Sequence, residues 1–225
     1  MSNYKITPIP VVDIQSLLGN NFVELFQTEM SAYIAPYRKN ILRGRPLSMG
    51  KELWEYAVAD SIPGAEWNGA GHSMLDVKLG ENTGIDVKTV GRNKKSNSTA
   101  EASMFQNFNQ DAKTAFKNKD SKGIWDIYID GWTTKVDLFD EYYLLGIIRE
   151  KETINCSLCC FKVSKGNIPF LEDLCNYTGK FIKISGLADP DFISIRYYNS
   201  KSRLEIQFLK KCWTDPEYCL PIFKY

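Results

Sequence analysis

Residues 73–90, SMLDVKLGENTGIDVKTV, constrain what this chain can fold into more tightly than any other stretch. Polar and aliphatic side chains alternate through both halves. Met74, Asp76 and Lys78 stand against Leu75, Val77 and Leu79, and Asp86 and Lys88 stand against Ile85 and Val87. A repeat of two is that of a β-strand with one face on a core. Gly80-Glu-Asn-Thr-Gly84 is a turn sequence, so strands are expected over 73–79 and 84–90, folded as a hairpin. Pairing Leu79 with Ile85 sets Lys78 across from Asp86 and Asp76 across from Lys88, all on one face. Directly opposed Cβ atoms lie roughly 5 Å apart and diagonal ones roughly 7–8 Å, so the two aspartates can share one cation with Lys88 beside them. A slip of two residues keeps the same face.

Around this hairpin the sequence predicts a mixed α/β or α+β domain. Helical spacing of Ile14, Leu17, Leu18, Phe22, Leu25 and Phe26 predicts a helix over 13–33. Ser48 reads as an N-cap for a helix running to about Ala59, with Leu53, Trp54, Ala57 and Val58 on its apolar side. Glu66-Trp-Asn-Gly-Ala-Gly-His72 reads as a glycine-rich loop, and a helix is expected from Thr99 to about Lys117. Alternation predicts strands at 123–129 (GIWDIYI), 142–149, 153–163 and 180–185, with a short helix at 168–177. Segments 192–198 and 203–209 flank Asn199-Ser-Lys-Ser202 as a hairpin. The pattern gives a central mixed sheet flanked by helices.

The chain of 225 residues suits one domain, 1–225, with a core at about 48–130 and further sheet and recognition elements over 131–225. With 44% hydrophobic and 24% charged residues, wholesale disorder is not expected. The net charge of +1 leaves the partner open, because basic charge can be concentrated locally. MSNYKITPIPVVDIQ lacks the basic and apolar regions of a signal peptide, and no long apolar run is present, so a cytoplasmic location is expected. Cys156-Ser-Leu-Cys159-Cys160 contains one CxxC, but Cys175, Cys212 and Cys219 offer no second close pair. A closed zinc site needs four convergent ligands. Buried thiols are the simpler reading, with Cys156 and Cys160 on one face of a strand and Cys159 on the other.

Two carboxylates and a lysine on adjacent strands suit metal-assisted phosphodiester hydrolysis. Hard carboxylate oxygens, with waters and a phosphate oxygen, build an octahedral magnesium site. The ion neutralises developing charge and lowers the pKa of a bound water. Asp76, then Asp86-Val87-Lys88 on the next strand after a helix, resembles the PD-(D/E)XK nuclease superfamily. Gly84-Ile-Asp-Val-Lys-Thr89 is similar to the I-D-(I/V)-K-T strand of type II restriction endonucleases, above all the EcoRV-like branch. Leu75 stands where many members carry proline, and the likeness covers about residues 48–129.

The resemblance implies a magnesium-dependent, sequence-specific duplex-DNA endonuclease, acting as a homodimer and leaving 5′-phosphate and 3′-hydroxyl ends. Asp76 and Asp86 would hold Mg²⁺, Lys88 would act on the attacking water, and an acid of the preceding helix would assist. Glu55 is better placed for that than Glu52, although both lie on one side of the helix. The other Asp-Val-Lys copy, Asp76–Lys78, would need Glu66 as its preceding acid, and Glu66 reads as loop. Asn68 is the implied minor-groove candidate. Arg92, Asn93, Lys94, Lys95 and Asn97, directly after Lys88, are candidates for phosphate contact, and Arg38, Lys39, Arg43 and Arg45 form a second basic cluster. Arg196 and Asn199, at the later hairpin, have the chemistry to read base edges. Gln106, Asn107, Asn109 and Gln110 form an amide-rich face that either reads bases or is simply solvated. A repair or junction-resolving nuclease of the same superfamily, or a non-catalytic DNA-binding module with a salt-bridged Asp/Lys face, are the competing readings.

Overall fold

The computed structural model describes residues 3–37, 51–68, 75–92, 100–150 and 155–224. Its centre is a mixed sheet flanked by helices. Strands β1 (Asn3–Pro8), β2 (Ala65–Trp67), β3 (Val77–Leu79), β4 (Thr83–Arg92), β6 (Glu141–Glu150), β7 (Cys156–Gly166) and β12 (Leu220–Phe223) form this sheet. The order is β1-β7-β6-β4-β3-β2, with β12 also on β7. β4 and β6 run parallel, and the other pairs are antiparallel. A second sheet, wholly antiparallel, has the order β5 (Ala100–Met104), β11 (Arg203–Phe208), β10 (Ile193–Tyr198), β9 (Phe181–Ile184), β8 (Cys175–Tyr177).

Two apolar clusters sandwich the first sheet. Helices α1 (Val11–Leu18), α2 (Phe22–Ile34) and α3 (Lys51–Asp60) bury Ile14, Phe26, Met30, Trp54 and Val58 against Val77, Ile85, Val87, Leu145 and Ile147. On the opposite face, α4 (Asn109–Lys117), α5 (Ser121–Val136) and the second sheet share a core with Tyr142, Leu144 and Ile148 of β6. β6 is covered on both sides, which is why YYLLGII reads as a continuous apolar run. Cys156 and Cys160 join the first cluster and Cys159 the second, as strand alternation requires.

Several elements differ from expectation. GIWDIYI is helical, part of α5. Its buried set, Ile124, Trp125, Tyr128, Ile129 and Trp132, repeats at three and four residues once Gly131-Trp132 is included, and Asp120 caps it by accepting from Gly123 N–H at 2.8 Å. The stretch after Thr99 is not one helix. Ala100, Ala102 and Met104 are buried on alternate residues of β5, and only 109–117 is α-helical. The 13–33 helix is broken after Leu18, where Gly19 takes φ +93°. The 168–177 segment holds only a short 3-10 turn and strand β8.

β1 and β12 went unforeseen, as did β2 within the supposed loop 66–72. The 48–59 helix is described from Lys51 onward, so its Ser48 cap lies outside the described residues. Among the described residues no helix is long and apolar enough to cross a membrane.

Candidate active site

The register of β3 on β4 brings the acids together. Val77 pairs with Ile85 and Leu79 with Thr83, two residues tighter than the sequence pattern suggested. Gly80, at φ +62°, lets the chain reverse within the three residues 80–82, a backbone conformation costly for any residue with a Cβ. The same side chains keep the same faces, but the partners change. Asp76, one step before Val77, comes level with Asp86 rather than with Lys88, and Lys78 faces Gly84 rather than Asp86.

β3 stops at Val77, and the Asp76 side chain takes over from the backbone: its Oδ2 accepts the N–H of Val87 at 2.7 Å. Asp76 is also in hydrogen-bonding contact with Asp86. Burial, reinforced by the neighbouring Asp86 charge, pushes the Asp76 carboxyl up to about 7, against an opposing pull from Lys88 and with a further push from Glu55. Asp86 is wholly buried. Burial alone would raise its pKa, yet Lys135 and Lys88 outweigh that and hold the carboxyl well below the usual range. The Lys88 ammonium donates to Asp86 Oδ1 and that of Lys135 to Oδ2, the latter at 3.0 Å. For Lys88, burial works against the charge, but Asp86 and Asp76 more than compensate and raise its pKa. The arrangement is an ionised Asp86 between two ammonium groups, beside an Asp76 whose carboxyl holds its proton to far higher pH than a free aspartate.

Glu55 of α3 is 3% exposed and lies close enough for its charge to act on both Asp76 and Lys88, whereas Glu52 is exposed. Among the described residues, no group of three or more His, Cys, Asp and Glu side chains converges as a metal-binding cluster.

Glu66 is not in a loop. It sits on β2 directly across from Lys78, so the absence of a strand cannot be what separates the two Asp-Val-Lys copies. Burial separates them: Glu66 is exposed, while Asp86 and Lys88 are 0% and 8% exposed.

Lys135 escaped sequence reasoning altogether. It stands 49 positions from Asp86, in the last turn of a helix whose 123–129 stretch alternates like a strand in the sequence. The signal available was the Asp120 cap together with helical spacing through Trp132, which places 135 in the last turn of a helix crossing between the two parallel strands.

The nucleic-acid candidates are dispersed. Asn68 is exposed and adjoins the site, its N–H donating to the Asp76 carbonyl at 2.9 Å. Arg92 ends β4. Asn93, Lys94, Lys95 and Asn97 lie outside the described residues, as do His72 and the cluster Arg38, Lys39, Arg43 and Arg45. Arg196 projects from the second sheet into an ion-pair network, 2.9 Å from Glu101 and 3.3 Å from Glu205, over the rings of Phe181 and Tyr198. Asn199 opens the 3-10 turn between β10 and β11. Of the amide-rich face, Gln106, Asn107 and Gln110 are exposed, while Asn109 accepts the Leu204 N–H at 3.2 Å. Comparison of the chain with protein-family models, with curated proteins and with solved structures gave no match.

Proposed function

We propose that this chain is a magnesium-dependent, sequence-specific endonuclease of duplex DNA, resembling type II restriction enzymes of the PD-(D/E)XK superfamily. One observation carries the reading: the buried Asp86 of β4 and the half-buried Asp76 just ahead of β3 lie side by side, with Lys88 on the same strand as Asp86 and bonded to it. An acid at the head of one strand, an acid and a lysine on the next, and a helix ahead of both is the family's order. The parallel strand β6 then completes the sheet beyond the site.

The donor set fits magnesium, which is commonly held by one or two carboxylates while waters and substrate phosphates fill the remaining positions. Asp76 and Asp86 would hold it, and the ion supplies neutralisation of developing charge and a more acidic bound water. Lys88 orients the attacking water and offsets negative charge on the phosphate. Glu55 supports the ionised state of Lys88 through its field. Attack on phosphorus breaks the bond to the 3′ oxygen, leaving 5′-phosphate and 3′-hydroxyl ends. Phosphate and groove contacts fall to Asn68, Arg92 and the residues up to Asn97, and to Arg196 and Asn199. A homodimer matching a palindromic site is the corresponding assembly.

The test is digestion of a long, fully sequenced duplex DNA with magnesium, followed by sequencing of the fragment ends. Unique ends from wild type, lost in Asp86→Ala and Lys88→Ala, are expected. Cleavage that survives both substitutions refutes the site, and cleavage only at junctions or lesions favours a repair nuclease. A wild type that binds duplex DNA without cutting it favours the non-catalytic module, for which the closed ion-pair arrangement around Asp86 would be sufficient.

A further inference from the structure

We infer that Lys135 is a second substrate-contacting lysine of this site, released from Asp86 to a phosphate oxygen of the DNA when a divalent cation takes the carboxylates; this rests on the nuclease reading above. The first observation is how one carboxylate is occupied. Both oxygens of one buried carboxylate are taken by ammonium groups, Lys88 on Oδ1 and Lys135 on Oδ2. Asp76 meanwhile spends Oδ2 on the Val87 N–H and turns to Asp86, so it supplies neither lysine with a hydrogen bond. Lys135 therefore occupies an oxygen that a cation held by Asp86 would need.

The second observation is where the two lysines are rooted. Lys88 is fixed in the middle of β4, paired with Gly146 of β6, and its side chain is 10% exposed. Lys135 lies in the last turn of α5, with a side chain 18% exposed. A helix C-terminus favours a cation over a range of nearby positions. Its long stem lets the head group move while the helix stays in place. A cation on Asp86 and an ammonium 3.0 Å from one of that residue's oxygens repel strongly in a buried site. Of the two lysines, Lys135 is the one able to yield, and the phosphodiester is the anion at hand.

The experiment compares full-length wild type, Lys135→Gln, Lys135→Arg and Asp86→Ala in two measurements. Calorimetric titration with Mn²⁺, without DNA, reads the competition between Lys135 and metal directly. Lys135→Gln should bind the metal more tightly, by a factor on the order of ten, since a like charge in contact with a ligand oxygen is gone. Cleavage of a duplex oligonucleotide carrying the mapped site, at saturating magnesium, should fall in Lys135→Gln by roughly 10- to 100-fold, the worth of a charge-assisted hydrogen bond. Lys135→Arg should recover most of it.

Unchanged or weaker Mn²⁺ binding by Lys135→Gln overturns the inference, as does wild-type cleavage by that variant. A lower thermal midpoint with weaker metal binding and no rescue by arginine marks a purely structural clamp and overturns it too. If wild type does not cut, or Asp86→Ala still cuts, the nuclease reading itself has failed. If both controls behave and Lys135→Gln cuts normally, only the inference about Lys135 falls.

Discussion

Asp76→Asn should make the metal-free protein more stable above neutral pH, and the gain follows from where that carboxyl sits. In the unfolded chain the group loses its proton near 3.8, whereas in the folded protein it holds it to about 7. The folded pKa is the higher one, so the unfolded state deprotonates first as pH rises. Stability is therefore lost progressively between pH 4 and 7 and stays low above that. Three pKa units at about 1.4 kcal/mol each set the cost of keeping Asp76 at alkaline pH near 4 kcal/mol.

Asparagine occupies the same volume, can accept the Val87 N–H in place of Asp76 Oδ2, and can donate to Asp86 as the protonated acid does. In EDTA at pH 8, chemical denaturation should place Asp76→Asn about 2–4 kcal/mol above wild type. The thermal midpoint should rise by roughly 5–15 °C for a chain of this size. The difference should shrink towards zero as the pH falls to about 4. Asp86→Asn should do the reverse, costing roughly 3–5 kcal/mol, because it leaves Lys88 and Lys135 without their shared counter-charge. An Asp76→Asn protein no more stable than wild type at pH 8, or one whose advantage does not vary with pH, would refute the account of a strained acid pair.

Other substitutions probe the packing behind the site. Tyr142 is 1% exposed and its hydroxyl has no hydrogen-bond partner among the described residues, so Tyr142→Phe should leave stability unchanged or raise it by up to about 1 kcal/mol in denaturant titration. Gly131 lies within α5, where alanine ordinarily gains about 1 kcal/mol, but an added Cβ would stand 2.5 Å from the Phe105 ring. Phe105, held at φ 49° against Tyr128 and Trp132, has little room to retreat, so Gly131→Ala should destabilise by about 1–2 kcal/mol net. Cys156, Cys159, Cys160 and Cys212 are buried, and burial pushes the Cys156 thiol up to about 12. Thiol titration of the native protein at pH 8 should accordingly leave these four unreacted until denaturant is added.

Local periodicity carried much of the fold. Alternation identified β4, β6, β7 and the β10–β11 hairpin, and it put Asp76 and Asp86 on one strand face. What it could not carry is whatever depends on a short turn or a distant partner. The register across Gly80 differs by two residues because the reversal is tighter than Gly80–Gly84 suggests, and that alone changes Asp76's neighbour from Lys88 to Asp86. GIWDIYI satisfies a two-residue alternation over its short length, and only the cap before it and Trp132 after it reveal a helix. Lys135 was lost with that helix. Glu205 shows the same blindness at longer range: it is fully buried, and its partners include Arg196 from the neighbouring strand and Lys201 and Arg203 from its own hairpin. Nothing in RLEIQF announces a buried carboxylate.

The bond from Val87 N–H to Asp76 Oδ2 gives the molecule a spectroscopic reporter of its own chemistry. An amide proton held by a carboxylate shifts in resonance as that carboxylate gains or loses charge. Val87 lies in β4, paired with Leu145 of β6 on one edge and held by the Asp76 carboxylate on the other, so its peptide group stays in place while the reading is taken. A single backbone cross-peak, followed through pH and through added cation, would record the occupancy of the carboxylate pair without a label, a substrate or a cleaved bond.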